Sequence, residues 1–147
     1  MNPTSTPFKL LGGAAIIGAG LFAAATAQHP TQPMVWMVAY LVLVVGVVQC
    51  ALGAGQALLS ATAPSAATVW GQWVLLNVGH AGVIAGTLSG SFGLLVAGTV
   101  LYDAAVAWLG LAVRGGQPGI RLIGYWILIL AMLASSLAGL ALSALGK

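Results

Sequence analysis

Five long apolar runs cover most of the chain, at about residues 10–27, 34–58, 70–88, 93–113 and 120–145, each separated from the next by a short stretch rich in Gly, Pro, Ser or Gln. Each run is close to the roughly twenty residues that a helix needs to cross a hydrocarbon layer of about 30 Å. The runs are continuous rather than alternating with period two, which argues against a transmembrane barrel. The pattern therefore predicts an all-α integral membrane protein, a five-transmembrane-helix bundle of up-down topology, forming a single membrane domain over residues 1–147.

The first run admits a second reading. Lys9 supplies a thin basic region before it, and Ala25-Thr26-Ala27 matches the small-x-small pattern of a signal-peptide cleavage site. It is taken here as an uncleaved helix, whose Gly12, Gly13, Gly18 and Gly20 would allow another helix to come close.

The stretch from Trp70 to Val113 organises the rest, because it holds the chain's single acidic residue, Asp103, together with His80. In an antiparallel hairpin with its turn near residues 90 to 92, His80 is level with residues 100 to 104, and the rise of about 1.5 Å per residue puts both groups near the middle of a bilayer. A charged carboxylate left alone at that depth costs several kcal/mol, so Asp103 has to be protonated, paired or facing water. Arg114 is eleven residues away, roughly 16 Å along the same helix. His80 is thus the expected partner of Asp103.

Helical periodicity adds two stripes to the third run. Trp73, Asn77, His80 and Thr87 fall within roughly 80° of one another, while Gly79, Gly82 and Gly86 line the opposite side, at about 100° per residue. The polar stripe is expected to meet Thr99 and Asp103 on the fourth helix, with the glycines turned to another neighbour. The second run carries a comparable small and polar stripe at Ala39, Gly46, Gln49, Gly53 and Gln56, and the same depth argument across the loop near residue 63 levels Gln49 with Asn77. Asp103, His80, Asn77 and Gln49 are therefore the candidate proton or ligand site, set in one polar layer. Gly46, Gly53, Gly79, Gly82 and Gly86 are the candidate packing positions. In the last run Ala131, Ser135, Gly139 and Ser143 recur every fourth residue, a seam of small side chains.

Composition sharpens the class. Only 3% of the 147 residues are charged and 61% are hydrophobic, and the mean hydropathy is +1.09. Such a chain cannot make a wettable surface. The net charge of +3 comes from four basic residues at helix ends and forms no nucleic-acid patch. Lys9, Arg114 and Arg121 fall on one side of a five-span protein and Lys147 on the other, which predicts a cytoplasmic amino terminus and an outer carboxyl terminus, in a bacterial cytoplasmic (inner) membrane. Cys50 is the one cysteine, so no intrachain disulfide forms. His29 sits in the polar turn before Pro30, where water reaches it.

Three functions fit these features. The first is an accessory or assembly subunit of a larger membrane complex, whose partners are the lipid bilayer and either other membrane subunits or further copies of this chain. Under this reading the polar layer fixes helix register. The second is a small proton-coupled transporter or channel, in which Asp103 and its histidine exchange a proton. The third is a redox subunit in which His80 ligates haem or hydrogen-bonds a quinone. A b-type haem with two histidine ligands would need a second buried histidine, which this chain does not supply. Catalysis is disfavoured, since one carboxylate and no evident Ser-His-Asp set leave little for an enzyme to use.

Overall fold

The computed structural model describes residues 3–145, and all regular structure among them is helical. Six α-helices follow in order: α1 (Thr6–Thr26), α2 (Gln32–Tyr40), α3 (Gln49–Leu59), α4 (Ala66–Ser89), α5 (Phe92–Ala112) and α6 (Ile120–Leu145). A π-helical segment, Leu41–Val48, joins α2 to α3, so Gln32–Leu59 is one continuous helix of 28 residues.

Among the described residues four helices are long and apolar enough to cross a membrane: Thr6–Thr26, Gln32–Leu59, Phe92–Ala112 and Ile120–Leu145. This is the mark of a membrane protein. The third expected span is present as a helix, α4, which begins at Ala66 rather than Trp70, yet it is not among the four. Its sequence explains why: Gln72, Asn77, His80 and four glycines dilute its apolar character. Lys147, which the charge argument set on the opposite side from Lys9, lies outside the described residues.

Local signals place the helix ends. Pro7 and Pro33 stand in the first turns of α1 and α2, where the missing N–H costs nothing. Ser65 caps α4, its hydroxyl accepting from the Thr68 amide at 3.1 Å. Gly90 ends α4 in the left-handed region, with φ of 67°, a conformation a side chain would resist.

The chain falls into two compact units, residues 1–57 and 58–147. In the first, α1 runs antiparallel to the long second helix. Phe8, fully buried, lies over Gly53; Gly12 lies against Cys50 and the Gly46 carbonyl; and Ile16 lies over Gly46, in the π segment. Gly46 and Gly53 thus serve as the recesses that admit large side chains of α1. Of the four α1 glycines expected to allow close contact, Gly12 is closely approached, while Gly13, Gly18 and Gly20 have nothing within 4 Å of a Cβ placed on them.

In the second unit α4 and α5 form the most extensively packed pair, and α6 packs more lightly on α5. The α4–α5 contact is backbone against backbone. A Cβ on Gly79 would meet the Tyr102 backbone, one on Gly82 would stand 2.7 Å from Gly98 Cα, and one on Gly86 would strike the Leu95 backbone. Small residues at three successive turns let the two helices approach to where dispersion is strongest.

Candidate functional site

The hairpin register follows from these contacts. Gly86 opposite Leu95 and Gly79 opposite Tyr102 are seven residues apart on each helix, so α4 and α5 run level and antiparallel about Gly90. His80 therefore does reach the depth of Asp103. The residue that meets it, however, is Tyr102. The two rings stand 5.2 Å apart at 46°, with His80 3% and Tyr102 4% exposed.

Asp103 is one residue further on, and about 100° round a helix turns it from α4 toward another neighbour. Its Oδ1 accepts a hydrogen bond of 2.6 Å from Ser136 Oγ on α6. His80 packs on Tyr102 and Asp103 accepts from Ser136, two contacts on different sides of α5. The reason is azimuth: a depth argument fixes height along a helix and leaves the face open. The glycine stripe of α4, expected to turn to a different neighbour, is itself what faces α5.

The other candidates are placed as follows. Asn77 Nδ2 donates to the Trp73 carbonyl at 2.7 Å, and Thr99 Oγ1 to the Leu95 carbonyl at 2.9 Å. Each donates to a carbonyl of its own helix, the ordinary way for such groups in an apolar setting. Gln49 belongs to the first unit, where it is fully buried and its amide has no hydrogen-bond partner among the described residues. Asn77, His80 and Asp103 belong to the second unit. Among the described residues no group of three or more His, Cys, Asp or Glu side chains is placed to hold a metal ion.

Sequence reasoning missed three residues. Ser136 bonds to its own helix, at the Leu133 carbonyl 2.8 Å away, and also reaches Asp103 on α5. Gln72 is fully buried in α4 and donates to the Trp108 carbonyl of α5 at 3.4 Å. Gly98 is the counterpart of Gly82, close enough that a Cβ on it would strike the Gly82 and Val83 backbone. Gly98 was legible from the hairpin register, since it is level with Gly82. Ser136 was not, because the loop between α5 and α6 is asymmetric. A turn centred on residue 116 would level Asp103 with residue 129, whereas Gly110 is the residue that meets Ile129.

What the site offers chemically is one half-buried carboxyl group, a hydroxyl in hydrogen-bond contact with it, and beside them an imidazole packed on a phenol. No protein-family model, no curated protein and no solved structure matches the chain.

Proposed function

We propose that this protein is a small polytopic subunit of a larger membrane assembly, built from other membrane proteins or from further copies of itself, and that α6 is the helix that docks. The observation that carries the reading is the state of the α6 seam. Ala131, Ser135 and Gly139 are all exposed, and a Cβ on Gly139 would meet nothing within 4 Å. Lipid tails are as apolar as leucine and give small side chains no advantage, whereas a neighbouring helix does. Only Tyr125 and Ile129 of the helix's 26 residues are buried.

In this reading α4 makes a fifth crossing, sheltered by its glycine contact with α5, and five spans set Lys9, Arg114 and Arg121 on the cytoplasmic side of a bacterial inner membrane. The test is the intact mass of protein purified in gentle detergent, with a visible spectrum from the same sample. A mass above that of one chain supports the reading; a colourless single chain contradicts it. Pigment would favour the redox alternative through His80.

Proton-coupled transport is the second reading, favoured by the half-buried Asp103 carboxyl. Asp103→Asn should abolish pH-driven flux into vesicles; unchanged flux removes that role.

A further inference from the structure

The Ser136 hydroxyl is within hydrogen-bonding distance of two acceptors, Asp103 Oδ1 at 2.6 Å and the Leu133 carbonyl oxygen at 2.8 Å. A hydroxyl carries one hydrogen and two lone pairs, so it donates along one of these contacts at a time. With Asp103 charged, the hydrogen goes to Oδ1. With Asp103 protonated, that oxygen can carry the proton and donate to Ser136 Oγ, whose own hydrogen then goes to Leu133. The charged state makes only the contact to Oδ1, the protonated state makes both, and no side chain has to move between them.

From this geometry we infer that Asp103 and Ser136 form an intramembrane proton-binding site between α5 and α6, with Ser136 as the positioning residue that changes acceptor as the carboxyl gains or loses its proton. Water supplies the proton and takes it back; one O–H bond forms or breaks, and nothing else does. Asp103 is half-buried, so this chain leaves one side of the carboxyl uncovered. On α4, the titratable group at this level is His80, packed on Tyr102. On α6, Tyr125 and Arg121 are eleven and fifteen residues from Ser136, roughly 16 and 22 Å along the helix. Among the described residues no Lys or Arg lies within about 16 Å of the pair along α5 or α6. The inference does not rest on the subunit reading. Transport would need such a site, but binding a proton needs no flux, so failure of one is distinguishable from failure of the other.

The experiment is reaction of the full-length protein in lipid vesicles with dicyclohexylcarbodiimide, an apolar reagent that adds to protonated carboxyl groups. The acid proton passes to a carbodiimide nitrogen, the carboxylate oxygen bonds to the central carbon, and the adduct rearranges to a stable acylurea with no leaving group. The expected result is one adduct on the peptide holding Asp103, lost as pH rises and absent in Asp103→Asn. The infrared carboxyl band of the acid form should move toward that of an acid without a hydrogen bond in Ser136→Ala, and return in Ser136→Thr, which keeps the hydroxyl. If Asp103→Asn does not fold, the pH dependence in the unaltered protein and the Ser136 pair decide the matter. No adduct at any pH, protection by sodium at fixed pH, or an unmoved band in Ser136→Ala would overturn the inference.

Discussion

Gly79 lies so close to Tyr102 that a Cβ on the glycine would stand 2.5 Å from the tyrosine's backbone nitrogen. The obstacle is backbone, and backbone in a packed helix cannot swing aside. Gly79→Ala must therefore push α4 and α5 apart or bend one of them, at a cost of about 1–3 kcal/mol, the usual range for overpacking a tight contact. Unfolding by denaturant in detergent, followed by the helix signal, measures it; Gly13→Ala, a site with open space around it, is the control and should cost little.

The glycines of α1 differ in the same way. A Cβ on Gly12 would stand 2.8 Å from the Gly46 carbonyl oxygen, while Gly18 has nothing within 4 Å. Gly12→Ala should lower the midpoint of unfolding. Gly18→Ala should leave it unchanged or raise it slightly, since alanine favours the helix by up to about 1 kcal/mol.

How much of this was open to reading from the chain depends on what each feature needs. Membrane class and helix positions need only the length of apolar runs, and the helix Ile120–Leu145 falls where the pattern set it. The level of His80 needs only a symmetric turn, which Gly90 supplies. The partner of Asp103 needs the face as well as the height, and there one residue decides: Tyr102 takes the side toward α4, leaving the carboxyl to α6. Ser136 was hidden for a related reason, since the loop before α6 shifts its register away from the symmetric value.

At the hairpin turn, Gly90 takes φ of 67° and has open space around it, so a side chain there would be strained by backbone conformation alone. Gly90→Ala should cost about 1 kcal/mol. Gly90→Asn should cost less, because asparagine tolerates the left-handed region better. A pair of equal melting temperatures would contradict this account of the turn.

At the other end of α4, the Ser65 hydroxyl satisfies the Thr68 amide. Removing it in Ser65→Ala should lower stability by about 1 kcal/mol, the usual worth of a helix cap, and Ser65→Asp should restore most of it. Thermal unfolding of the three proteins in one detergent compares them directly.

The claim that α6 docks onto a neighbour is tested most directly by the intact mass of the gently purified protein beside its Gly139→Leu variant. Gly139 is exposed, with no atom of the chain near enough to clash, so the substitution should leave the fold intact while blocking close helix approach. The account predicts an assembly for the unaltered protein and a shift to the single chain for the variant. A single chain in both, or an assembly unchanged by the leucine, would contradict it.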